Sequence, residues 1–238
     1  MLLNSSNFIT PIRSNYLSEN ISHPMNKILF SSISKKFVMA LAGIFLLMFL
    51  PVHLSINLML LKSDPEPFNK AAHFMATFPV VKIIEIVLFA AILIHISYGI
   101  FIQIQNWLAR PVGYVSRNRS ETTFFSKFMI WTGASVLTYL VLHFFNFYFI
   151  RLGFVPGNPE DFYSVAHHLF KIPAYDYIYL VCFTLLGLHL FHAFSSAFQT
   201  IGINHRIWTP VVKTFAWIYS VAIPLGFAFI SITIWQFR

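Results

Sequence analysis

The stretch FLLMFLPVHLSINLMLL, residues 45–61, is apolar nearly throughout, yet it carries Pro51, His53 and Asn57. Extended back to about residue 36, the run exceeds the roughly 20 residues that a helix needs to cross a bilayer. The proline removes the backbone hydrogen bond that would reach the carbonyl of Leu47. A histidine in hydrocarbon is costly and points to function. The fold and the purpose of the chain both turn on what that histidine is for.

The same character runs through the chain. Of its 238 residues 57% are hydrophobic and only 10% charged, against about 25% charged in soluble domains. The composition is that of an all-α integral membrane protein. The net charge of +8 does not indicate nucleic acid, because the charges sit in short loops between apolar runs. The single cysteine, Cys182, lies inside an apolar run, so there is no disulfide framework within the chain, and no CxxCH motif for covalent haem attachment is present. Residues 1–30 are polar, without an apolar core of signal-peptide length, and read as a retained cytoplasmic arm. Residues 31–238 read as one membrane domain.

Five segments qualify as spans: about 36–61, 79–106, 125–150, 174–201 and 211–236. Pro79, Pro173 and Pro210 stand at or just before helix starts, where a missing N–H is harmless. Short loops make neighbouring spans antiparallel. One side then holds Arg13, Lys27, Lys35, Lys36, Arg110, Arg117, Arg119, Lys127, Arg206 and Lys213 against Glu19 and Glu121. The other holds Lys62, Lys70, Lys82, Arg151, Lys171 and Arg238, balanced by Asp64, Glu66, Glu85, Glu160, Asp161 and Asp176. The positive-inside rule puts the N-terminus in the cytoplasm and the C-terminus outside, periplasmic in a bacterium.

Five histidines lie within spans: His53, His95, His143, His189 and His192. The others, His23, His73, His167, His168 and His205, fall in the arm or in loops. His53 and His143 lie 17 and 16 residues beyond the inner-end lysines Lys36 and Lys127, some ~25 Å along their helices toward the outer face. His95 and His189 each lie 16 residues beyond the prolines that open their spans from outside, and so sit toward the inner face. The histidines therefore match by depth, His53 with His143 and His95 with His189. Two neutral imidazoles at one level from different helices suit the two axial positions of a b-type haem iron. Small residues give clearance at matching offsets: Gly43 and Gly133 ten residues before His53 and His143, Gly99 and Ala193 four after His95 and His189. The first two spans thus resemble the next two as an internal repeat, and the first four are expected to form a haem-binding bundle. Close helix packing is the plainer use of such small residues.

The residues that carry this pattern also resemble a family. SSISKKFVMALAGIFLLMFLPVHLSINL (31–58), AAHFMATFPVVKIIEIVLFAAILIHISYGI (71–100), TGASVLTYLVLHFFN (132–146) and LLGLHLFHAFSSAFQTIG (185–202) look like the five-helix dihaem cytochrome b subunit of succinate:quinone oxidoreductases, succinate dehydrogenase or fumarate reductase, in its single-polypeptide b558-type form. The second stretch looks especially like versions from Bacteroidetes-type bacteria. The resemblance implies a respiratory-chain anchor in a bacterial inner membrane, bearing two haems b. It implies two soluble partners, a flavoprotein with FAD that interconverts succinate and fumarate, as in the tricarboxylic acid cycle, and an iron–sulfur protein. It further implies a quinone, menaquinone by the same resemblance, as electron partner. The family shares its haems between first and third, and second and fourth, histidine helices, the pairing that depth gives independently. His192, three residues after His189 and on nearly the same face, is the alternative inner ligand or a propionate contact.

Glu85 lies about 15 Å outward of His95 by helical rise. It is a candidate for proton transfer to quinone, or a plain ion-pair partner of Lys82 three residues before it. The chain carries no flavin fingerprint and no cysteine cluster for iron–sulfur, so it does not oxidise succinate alone. The competing readings are a dihaem anchor of another respiratory dehydrogenase or hydrogenase and, from a different class, a histidine-lined metal or proton transporter.

Overall fold

The computed structural model describes residues 32–108 and 128–237. The arm expected over 1–30 and the basic stretch 109–127 lie outside them. The described residues form seven helices and no strand: α1 (Ser32–Asn57, closed by a 3₁₀ turn Leu58–Leu61), α2 (Glu66–Thr77), α3 (Pro79–Leu108), α4 (Met129–His143), α5 (Phe162–Phe170), α6 (Pro173–Thr200) and α7 (Trp208–Phe237). After α4 the chain runs through a π-helical turn, Phe144–Tyr148, into a last α-turn, Phe149–Arg151.

Five of these stretches are long and apolar enough to cross a membrane: Ile33–Leu61, Pro79–Leu108, Met129–Arg151, Pro173–Thr200 and Trp208–Phe237. They match the five expected spans, except that α7 begins two residues before Pro210, which sits in its first turn. Their large side chains point outward in numbers no aqueous surface would tolerate, Ile86 70% and Trp131 67% exposed among them. In hydrocarbon those faces need no protein partner. This is an all-α, multi-pass integral membrane protein.

The packing is centred on α6. Its buried residues Asp176, Tyr179, Phe183, Leu186, Leu190 and Ala197 recur at helical spacing along one stripe. That stripe meets α7, α4 and α1, while α3 packs chiefly on α1 and barely touches α4. Leu47, Leu186, Leu190 and Ile223 make one core cluster. A second, around Leu60, Phe68, Ala166, Phe170, Tyr179 and Ile234, draws in the short helices α2 and α5. These two cover one end of the bundle, which we call the capped end.

Both short helices stand where the sequence predicts loop. They are stapled to each other and to the end of α1. Asp161 caps α5 by accepting from the Ser164 amide, and Asn69 Nδ2 donates to the same carboxylate at 2.8 Å. The Tyr163 hydroxyl donates to the Lys62 carbonyl at 2.7 Å. His167, read as a loop histidine, bonds the Leu60 carbonyl through Nε2 at 3.1 Å and stacks on Tyr163. His73 and His168 are exposed. Asp176, taken from sequence as a charge on the outer side, is instead completely buried in the first turn of α6, where Ser231 of α7 donates to it.

Two prolines interrupt spans, and the structure accounts for both. Pro51 leaves the Leu47 carbonyl without its helical donor, and the Tyr219 hydroxyl of α7 donates to that oxygen at 2.5 Å. Pro224 likewise leaves the Ser220 carbonyl without a helical donor. That oxygen lies against Gly187 of α6, so close that a Cβ there would stand 2.9 Å from it. For Leu47 a neighbouring helix thus supplies the partner that lipid cannot.

Candidate functional site

Each long helix of the first four carries a histidine into the bundle, and the structure brings them together two by two. The His53 and His143 rings lie 5.7 Å apart between centroids at 89°, nearer the capped end. The His95 and His189 rings lie 6.4 Å apart at 82°, nearer the other end. No ring contact joins His192 to His95 among the described residues, and His192 is only partly buried.

The separation tests whether an ion fits between the rings. Two metal–imidazole bonds of about 2 Å each, end to end, put the centres of two axial rings about 6 Å apart. Both pairs sit at that spacing. Two nitrogens are too few for a bare divalent metal, which takes four or more ligands. Among the described residues no group of three or more His, Cys, Asp or Glu could complete such a set. A tetrapyrrole brings four nitrogens of its own and needs only two from the protein, so the donor set fits haem. Among the described residues α3 and α4 make little contact with each other, and α1 and α6 pack between them.

The glycines fit as well, though not where their offsets on one helix suggested. A Cβ on Gly43 of α1 would stand 3.3 Å from the His95 ring of α3, and one on Gly133 of α4 would stand 3.4 Å from the His189 ring of α6. Both therefore clear the pair away from the capped end, across the helix interface, rather than the histidine on their own helix. Gly99 faces Met39, with 4.0 Å from a built Cβ to Sδ. Ala193 is partly buried.

The second ring nitrogens are held unequally. His95 Nδ1 lies 3.3 Å from the Met39 carbonyl, which can only accept, so Nδ1 carries the proton and Nε2 keeps its lone pair. His189 Nδ1 lies 3.4 Å from Thr132 Oγ1. At the capped-end pair the Asn57 amide donates to the His53 carbonyl at 2.7 Å and passes 3.5 Å from His53 Nδ1. His143 Nδ1 is buried without a hydrogen-bond partner. Aromatic rings enclose this pair: Phe49 stacks on His53, Tyr139 on His143, and Phe147 of the π-turn and Phe227 of α7 close in. The sequence reading had missed α7 here, since it offers no histidine to draw attention to it.

Glu85 has more partners than Lys82. One carboxylate oxygen accepts from Lys82 at 3.3 Å; the other accepts from the Tyr148 hydroxyl at 3.0 Å and from Arg151. Arg151 also lies over the Tyr148 ring, 4.6 Å from its centre. The cluster bridges α3 to the turns that follow α4, and Glu85 is 16% exposed. Tyr148 and Arg151 were not foreseen, because the π-turn that brings them round has no sequence signature in FFNFY. No protein-family model, curated protein or solved structure matches the chain.

Proposed function

We propose that the chain is a dihaem cytochrome b, the electron-transferring membrane anchor of a succinate:quinone oxidoreductase. The observation that carries this reading is the pair of crossed imidazole couples, one toward each end of a single four-helix bundle. Bound there, two b haems supply reversible one-electron carriage between the two faces of the membrane. The chain's part is positioning. His53 and His143 hold one group, His95 and His189 the other. Gly43 and Gly133 leave no Cβ against the second couple, so helix backbone can lie close to it, and the aromatic wall keeps water from the first. His192, three residues after His189, would be the contact for a propionate.

The remaining parts of the reading rest on the family resemblance and on charge. The flavoprotein and iron–sulfur subunits dock on the cytoplasmic side of a bacterial inner membrane, where the N-terminus also lies, and the C-terminus is periplasmic. Quinone, menaquinone by that resemblance, reacts near the capped end. There Glu85 accepts from Tyr148, an arrangement that can hand a proton along a short chain of oxygen atoms.

The test is isolation from native membranes in mild detergent, with haem and protein assays and a reduced-minus-oxidised spectrum. Two b-type haems per chain are expected; a firm ratio of one or zero sinks the reading. His53→Ala and His143→Ala should remove one and the same centre, His95→Ala and His189→Ala the other, and His192→Ala neither. Loss of the same single centre by His53→Ala and His95→Ala would break the pairing. Co-isolation of a hydrogenase or formate dehydrogenase subunit in place of the flavoprotein would reassign the partner.

A further inference from the structure

α1 and α4 carry the same frame beside the His95/His189 pair: MALAG at 39–43 and MIWTG at 129–133. In each the glycine is the residue that faces an imidazole of another helix. In each the carbonyl four residues before the glycine is the natural acceptor for that imidazole's Nδ1. In α1 the contact is direct, from His95 Nδ1 to the Met39 carbonyl. In α4 the equivalent carbonyl, that of Met129, is already taken, because Thr132 Oγ1 donates to it at 3.0 Å. With its only hydrogen committed there, the hydroxyl presents a lone pair to His189 Nδ1. The α1 position equivalent to Thr132 is Ala42, buried and without a hydroxyl.

Serine and threonine hydroxyls often bond back to their own helix, as Ser135 and Thr138 do to Trp131 and Ala134. Both of those bonds are exposed, whereas the Thr132 bonds are part-buried. Thr132 differs in that the same oxygen also meets an imidazole. We propose that Thr132 is a positioning residue for His189: it accepts the Nδ1 proton, fixes the tautomer that leaves the Nε2 lone pair free, and strengthens that nitrogen as a donor to iron. The proposal rests on the dihaem reading above. It also explains how His189, and not His192, is made ready as the ligand, since no comparable acceptor meets His192 among the described residues.

A hydrogen bond from Nδ1–H makes an imidazole a stronger donor, which favours ferric over ferrous iron. Removing an outer partner of a ligating histidine typically weakens metal binding by about 10–100-fold. If the ferric form loses tenfold more than the ferrous, the one-electron midpoint potential rises by about 59 mV. The experiment is a visible redox titration of the complex carrying wild-type chain, Thr132→Val, Thr132→Ser or the control Thr138→Val. Thr132→Val should raise the potential of the centre that His189→Ala abolishes, or lose that haem during purification, while Thr132→Ser and Thr138→Val stay at the wild-type value. An unshifted Thr132→Val, or a Thr132→Ser that shifts or loses haem as much as Thr132→Val, overturns the proposal and leaves the dihaem reading standing. A wild-type chain with no b-type spectrum sinks both.

Discussion

The hydrogen bond from Tyr219 to the Leu47 carbonyl exists because Pro51 cannot make one, and that dependence can be measured. Tyr219→Phe removes the hydroxyl and keeps the ring. The Leu47 oxygen is then orphaned on a residue only 8% exposed. An unsatisfied buried acceptor costs about 1–3 kcal/mol. Hydrogen bonds between membrane helices, however, measure only about 0.6 kcal/mol on average and reach about 1.7. Leu47 has no alternative donor on its own helix, so the value belongs near the top of that range, about 1–2 kcal/mol. Pro51→Ala restores an N–H four residues after Leu47 and gives the carbonyl its ordinary helical partner. In that background Tyr219→Phe should cost about 0.5 kcal/mol or less, a coupling of about 1 kcal/mol. Reversible unfolding in mixed micelles of the four members of the cycle gives the number. Costs of Tyr219→Phe that agree within about 0.3 kcal/mol in the two backgrounds, the level of simple additivity, would refute the argument.

If the chain is the proposed dihaem anchor, Glu85→Gln should keep both haems and succinate-driven reduction of a soluble dye, yet lower succinate:quinone activity at least roughly tenfold, as loss of a proton-transfer group does when that step limits. Unchanged quinone activity would leave the residue as an anchor for Arg151 and Lys82. Gly187→Ala sets a Cβ 2.9 Å from the Ser220 backbone oxygen, which cannot swing aside; α6 and α7 must part, at about 1–3 kcal/mol, and an unchanged melting temperature would show a looser seam. The bonds from Ser164 and Asn69 hold the Asp161 carboxyl below the usual carboxylate range. Their stabilisation is therefore complete above the unfolded value near 3.9 and is lost as pH falls through the lower folded value. Protection of the α5 amides, taken relative to their intrinsic exchange rate at each pH, should fall on acidification below about pH 4, and Asp161→Ala should already lack it at neutral pH; an acid response that persists in that variant would place the switch elsewhere.

The spans were legible because bilayer thickness fixes a length, and the depth of each histidine was legible because helical rise is constant. Counting from Lys36, Pro79, Lys127 and Pro173 was enough to match the levels. α2 and α5 were not legible as runs, being short and of mixed polarity, although Asp161 before FYSVAHHLF is a capping signal that could have marked the second. What crosses from helix to helix was hidden. Nothing near Gly43 says that it faces His95, and nothing near Pro51 names Tyr219, because both contacts depend on how helices far apart in sequence are set side by side. The MxxxG frames at 39–43 and 129–133 were in plain view. Their meaning appeared only once a carbonyl and a hydroxyl were seen at equivalent places.

The π-turn at Phe144–Tyr148 begins with the residue after His143. A turn of this kind amounts to one extra residue in the helix, and one residue is about 100° of rotation. Everything before it keeps phase with the imidazole, whereas Tyr148 at its end and Arg151 after it are swung round to meet Glu85. Deleting a single residue within 145–147 would return the segment to plain α-helix, carrying both partners about 100° away from α3 while His143 stayed in place. The helix thus behaves as two shafts joined by a coupling: His143 and the polar cluster can each be re-aimed without disturbing the other.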